Sequence, residues 1–111
     1  MDILFKNSGD ADDYNSWKRL VRLHNVARAK LIRRRLDELR AAPVLEAIRN
    51  LPGRCHELKG DRALQLSIDL DGPYRLIFSP SANPRPTKPD GGLDWTQVTA
   101  VVINEVVDTH D

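Results

Sequence analysis

Between Leu64 and Leu70 the chain alternates: Leu64, Leu66, Ile68 and Leu70 fall on one side of an extended backbone, and Gln65, Ser67 and Asp69 on the other. That period of two predicts a half-buried strand. Asp71-Gly72-Pro73 supplies a turn, and the returning segment puts Tyr74, Leu76 and Phe78 on one face with Arg75 and Ile77 opposite, so an antiparallel hairpin is expected. A further strand over Val98–Val107 is rich in valine, which suits a central, covered position, although its alternation blurs at Asn104 and Glu105.

Upstream of Arg54 the period is helical. Asp2 to Lys6 reads as a short strand closed by Asn7-Ser8-Gly9. Asp10, Asp12 and Asp13 then precede Tyr14, Trp17, Leu20, Val21 and His24, a spacing of three and four with acids at the positive end of a helix. A second helix carries Ala29, Ile32, Leu36 and Leu39 on one stripe, with Lys30, Arg33, Arg34 and Arg40 away from it, and stops at Pro43. A third, short helix with Val44, Leu45, Ile48 and Leu51 is expected before Pro52-Gly53. Residues 79–97 contain Pro80, Pro84, Pro86, Pro89 and Gly91-Gly92 and read as a long exposed connection, either a functional loop or a tolerated insertion. The order β-α-α-α-β-β-β-β defines an α+β domain over residues 1–111, an antiparallel β-sheet with N-terminal helices packed on one face.

Composition narrows the possibilities. With 41% hydrophobic and 30% charged residues, the 111-residue chain has an ordinary globular composition with room for one core. No apolar run reaches the roughly 20 residues that span a bilayer, and the N-terminus lacks a signal peptide's apolar stretch, so a cytoplasmic protein with no membrane association is expected. Cys55 stands alone, which excludes an internal disulfide and a cysteine-rich zinc site and leaves it as a small strand residue. Net charge is +1, yet residues 18–62 hold 13 Lys or Arg against 5 acids. Such asymmetry fits either a phosphate-binding surface or a solvated helix face.

The run Arg54-Cys55-His56-Glu57-Leu58-Lys59-Gly60-Asp61-Arg62 brings a His, a Lys and two Arg to the hairpin. An imidazole moves protons near neutral pH and cations stabilise an anionic transition state, so these groups could process a phosphodiester without a metal. They could equally be solvated polar residues on an outer face. Leu51-Pro52-Gly53 with this run, together with Leu66-Ser67-Ile68, Tyr74-Arg75-Leu76-Ile77-Phe78 and Val106-Val107-Asp108-Thr109-His110, resembles the HigB-type branch of the RelE/ParE toxin superfamily, the plasmid-maintenance killer proteins. The likeness covers the second half of the chain, and the helical first half agrees in length and order.

The resemblance implies a RelE-like fold and a bacterial toxin that cleaves messenger RNA in the ribosomal A site, neutralised by a helix-turn-helix, HigA-like antitoxin. Attack by the RNA's own 2′-hydroxyl needs no metal and no cofactor. His56, Lys59, Arg75 and His110 match the family's catalytic positions, the histidines for proton transfer and Lys59 with Arg75 for charge. Arg54, Lys59, Arg62 and Arg75 are the expected nucleic-acid contacts. The chain departs from the family at Asp69, where an arginine is common, and at Thr109, where a tyrosine is common. An acid at 69 opens a second reading, in which Arg75 pairs with Asp69 across the hairpin and leaves phosphate duty. The rival function is then a non-enzymatic binder, of an antitoxin or of a target such as DNA gyrase. A repressor using Arg33-Arg34-Arg35 ranks last, because consecutive helical residues point about 100° apart and make no single reading face. Antitoxin contacts are expected on the helices, at Arg33, Arg34, Arg40, Trp17 and His24, with Trp17 readable either as an anchor or as core.

Overall fold

The computed structural model describes residues 1–82 and 84–109. Strand β1 (Asp2–Phe5) leads into helices α1 (Asp10–Asn15), α2 (Trp17–Leu23) and α3 (Val26–Ala41), followed by a 3₁₀ turn at Leu45–Ile48. Then come β2 (His56–Glu57), a 3₁₀ turn at Gly60–Arg62, β3 (Leu66–Asp69), β4 (Tyr74–Pro80), a 3₁₀ turn at Trp95–Gln97 and β5 (Ala100–Asp108). The five strands form one sheet in the order β1-β5-β4-β3-β2. The expected antiparallel pairing holds from β2 through β5, and β1 adds itself parallel to β5.

The helical stripe of α3 falls where its period puts it: Ala29, Ile32, Leu36 and Leu39 are buried against Leu66, Ile68, Leu76, Phe78, Val101 and Ile103 of the sheet. The continuous first helix does not form. Ser16 takes an extended conformation, ends α1 and accepts a hydrogen bond at Oγ from the Arg19 backbone N–H at 3.3 Å, so it serves as the N-cap of α2. The third helix contracts to a single 3₁₀ turn.

Three further expectations change. Leu64 lies outside β3 at φ +75° and is 67% exposed, because the chain is still turning there: the Gln65 N–H donates to the Arg62 carbonyl. The connection over 79–97 is not simply exposed. Thr87 bridges Leu93, and Leu93 and Trp95 are buried in the core, with the Trp95 Nε1–H donating to Glu57 at 3.2 Å. The blurred alternation at Asn104 is a bulge: Ile77 faces Glu105 while Phe78 faces Ile103, and the extra Asn104 donates to Ser79 Oγ at 2.8 Å. Ser67 and Ile77 are also buried on the sheet face away from the helices, a face that alternation alone assigned to solvent.

Candidate nucleic-acid interface

The site residues sit on the sheet face opposite the helices, near its β2 edge. Register aligns His56, Ser67, Ile77 and Glu105 across the strands, and Asp69, Arg75 and Val107 in the adjacent row. Two strand spacings and one pleat separate the backbones of His56 and Arg75, about 12 Å.

Asp69 organises its row. Its carboxylate meets Arg75 Nε at 2.9 Å on Oδ1 and Arg54 Nε at 2.6 Å on Oδ2. Its backbone N–H donates to the Gly53 carbonyl at 2.7 Å, and its own carbonyl accepts from the buried Arg35 at 3.1 Å. The Oδ1 contact is an ion pair rather than an aligned hydrogen bond, since that buried oxygen lacks a donor pointed at it. Arg75 is further held by the carbonyls of Gly72 and Tyr74, at 2.8 and 2.9 Å, which turn its guanidinium back toward the β3–β4 turn. Arg54 stays exposed, and its bond to Asp69 raises its pKa above the usual guanidinium value. The two arginines therefore converge on a carboxylate, and the cross-strand pairing that the sequence offered as an alternative is the one found.

Gly53 makes this convergence possible. At φ +109° it lies so close to β3 and to the Arg35 guanidinium that a Cβ would stand 2.8 Å from Ile68 Cγ2 and 3.0 Å from Arg35 Nε. Arg54 follows at φ +48° and bends the chain into β2.

His56 is exposed on that edge strand, with Nδ1 2.7 Å from the Arg54 carbonyl. A carbonyl can only accept, so Nδ1 carries the proton in this bond and the neutral ring keeps an unprotonated Nε2. Lys59 is exposed beyond β2 and has no carboxylate partner among the described residues. Arg62, from the following turn, reaches Glu105 at 3.6 Å and Gln65 at 3.3 Å. His110 lies outside the described residues. Thr109 holds the end of β5 to the β3–β4 turn, its N–H and hydroxyl both donating to the Pro73 carbonyl at 2.9 and 2.7 Å. Burial pushes the Cys55 thiol up to about 12, so it is not a nucleophile near neutral pH.

Of the groups expected to act together, Arg54 and Arg75 meet on Asp69, His56 is joined to them through the Arg54 backbone, and Lys59 with Arg62 stands farther along the edge. Arg75 makes no open phosphate cradle as arranged. Sequence reasoning missed Arg35 and Gly53. Arg35 fell in a run of three arginines that hid its place on the buried side of α3, and Gly53 resembled an ordinary helix stop. Among the described residues no group of three or more His, Cys, Asp or Glu is placed to hold a metal, and no helix is long and apolar enough to cross a membrane.

The fold these elements build is an α+β domain with helices on one face of a five-stranded sheet and a cationic edge on the other. The chain is similar to the solved structure of the YoeB/ParE toxin from Agrobacterium tumefaciens, with a TM-score of 0.58 and 17% identity over 100% of both chains. An identity that low shows a shared fold. No protein-family model matches the sequence, and no curated protein matches it.

Proposed function

We propose that this chain is the toxin of a toxin–antitoxin pair and acts as a metal-independent messenger-RNA endoribonuclease. The observation that carries the toxin reading is the fold likeness to a toxin along the entire length of both chains. The HigB-type sequence resemblance refines it, with a helix-turn-helix, HigA-like antitoxin as partner and ribosome-bound mRNA in the cytoplasm as substrate.

The chemistry centres on His56. Its Nε2 takes the proton of a ribose 2′-hydroxyl, the oxygen attacks the adjacent phosphorus, and the 5′-oxygen leaves, giving a 2′,3′-cyclic phosphate and a 5′-hydroxyl end. Lys59 supplies the unpaired cation nearest in sequence to stabilise the crowded phosphate, with Arg54 and Arg62 binding the backbone. Arg75 is recast as a positioning residue that fixes Asp69 and, through it, Arg54. The family's C-terminal histidine position, His110, is the candidate acid for the leaving oxygen.

A second reading, target binding without cleavage, is favoured by one observation: the Asp69 carboxylate pairs with both arginines that a phosphate would otherwise meet. Inducible bacterial expression of wild type, His56→Ala and Lys59→Ala separates the two. Growth arrest with new transcript 5′ ends, reduced about 10²-fold or more by His56→Ala, supports the nuclease. Arrest with intact transcripts supports the binder, and wild type that leaves growth untouched sinks the toxin proposal.

A further inference from the structure

Beside β2 the proline-rich connection encloses a small cavity of about 150 Å³, lined by Glu57 of β2, by Leu64, and by Arg85, Gly91, Gly92 and Leu93 of the connection. The connection is tied to itself here: Thr87 bridges Leu93, the Lys88 N–H donates to the Gly92 carbonyl at 2.8 Å, and the Asp94 N–H donates to the Pro86 carbonyl at 2.9 Å. Leu93 and Trp95 anchor it in the core, and the Trp95 indole holds the Glu57 carboxylate through Oε2. The cavity is therefore shaped before any ligand arrives, which spares a ligand the cost of ordering it.

Two of the lining residues are unfavourable as they stand. Five arginines are partly or wholly buried among the described residues, and four of them, Arg28, Arg35, Arg62 and Arg75, each hold a carboxylate. Arg85 is the fifth, and among the described residues it has neither an ion pair nor a hydrogen bond, although Glu57 lines the same cavity. A guanidinium taken partly out of water without a partner costs free energy. Leu64 is the other: an apolar side chain 67% exposed at φ +75°, a strained backbone conformation of the kind found where a chain clamps a ligand.

We propose that this cavity is a guanine subsite, with Arg85 donating to O6 and N7 of the base, the Glu57 carboxylate accepting from N1–H and the N2 amine, and Leu64 covering the ring. A guanidinium only donates and a carboxylate only accepts, so the pair is matched by a base with two neighbouring acceptors on one edge and two neighbouring donors on another. Of the RNA bases guanine alone has both. Arginine to O6 and N7 is the commonest specific contact between a side chain and a base edge, and unstacked bases of single-stranded RNA are read through their edges while a side chain covers the ring. Gly91 and Gly92 put bare backbone on the cavity wall, where a flat ring approaches closely. Side chains of β2 alternate, so His56 and Glu57 leave the strand on opposite sides, and RNA crossing this edge brings its linkage to His56 and a neighbouring base to the cavity. Only the source of the guanine, the RNA substrate or a free guanine nucleotide, depends on the nuclease reading.

The test uses the full chain and fluorescence anisotropy with short labelled 2′-O-methyl oligonucleotides, which lack the attacking hydroxyl, carrying one guanine or an adenine in its place. The guanine should tighten binding about tenfold or more, and 7-deazaguanine, which lacks the N7 acceptor, should forfeit most of that gain. Arg85→Ala should abolish both differences and leave the guanine-free oligonucleotide bound nearly as before. Leu64→Gly should weaken the guanine oligonucleotide without lowering the melting temperature, because glycine tolerates φ +75°. If Arg85→Ala unsettles the fold, the 7-deazaguanine comparison on the wild type decides alone. Equal binding with and without guanine, or with and without N7, overturns the proposal. Displacement by guanosine monophosphate at matching concentration assigns the cavity to a free nucleotide, and a need for large excess assigns it to RNA. Transcript-cleavage assays keep the two questions apart: a chain that prefers guanine without cutting RNA upholds the cavity and sinks the nuclease, and cutting with indifference to guanine does the reverse.

Discussion

The Asp69–Arg75 pair offers the sharpest energetic test of this site. Its charged atoms are 2.9 Å apart and each side chain is only 20% exposed, so solvent screens the pair less than a surface bridge. The gross attraction at that separation is about 6 kcal/mol for an effective dielectric near 20. Desolvation of both groups offsets much of it. Exposed pairs net up to about 1 kcal/mol, and removing one partner of a fully buried pair costs about 3 to 5. A pair of intermediate burial belongs near 2 kcal/mol. The assay is a double-mutant cycle of Asp69→Ala and Arg75→Ala, read by urea and thermal unfolding. Each single substitution is expected to lower the melting temperature by about 8 °C, at about 4 °C per kcal/mol for a domain of this length. The double substitution should cost clearly less than the sum, with a coupling of about 1 to 2 kcal/mol that largely survives in about 1 M salt. Arg54→Ala should shift stability less, since that side chain is 74% exposed. A coupling below about 0.5 kcal/mol would refute the reasoning, because Arg75 would then be free to leave Asp69 for a phosphate at negligible cost.

The remaining predictions concern what surrounds the site. Gly53→Ala adds a Cβ 2.8 Å from Ile68 Cγ2 at φ +109° and should cost about 3 kcal/mol in urea unfolding, while a neutral outcome would mean that the β2 approach is not held as described. Trp95→Ala should cost about 3 to 5 kcal/mol although it lies in a connection rather than a regular element, and Trp95→Phe much less; a small loss for alanine would show that the connection does not complete the core. His24 is held below its ordinary value of 6.5, first by burial and then by Arg28, with Asp71 pulling the other way. The folded state therefore binds fewer protons than the unfolded one as pH drops through that range, so this contribution is present above pH 6.5 and is lost below it. His24→Gln should flatten the fall of the urea midpoint between about pH 7 and 5, and an unchanged slope would remove His24 as its source.

What the sequence determined was whatever repeats locally. The stripe of Ala29, Ile32, Leu36 and Leu39, and the faces of the hairpin at Leu66, Ile68, Leu76 and Phe78, follow from helical and extended periods that do not depend on the rest of the chain. The bulge was foreshadowed by broken alternation at Asn104, and Ser16 is a helix-starting residue whose signal was overlooked inside a longer apolar pattern. Tertiary structure decided the rest, because those features need partners remote in sequence. Only packing reveals that Leu93 and Trp95 leave a proline-rich connection to fill the core, or that Arg35 crosses from α3 to the carbonyl of Asp69. The possibility of an Asp69–Arg75 pair could be read from a hairpin, but the second arginine on the same carboxylate required Gly53 to bring Arg54 over the sheet, a close approach that no periodicity encodes.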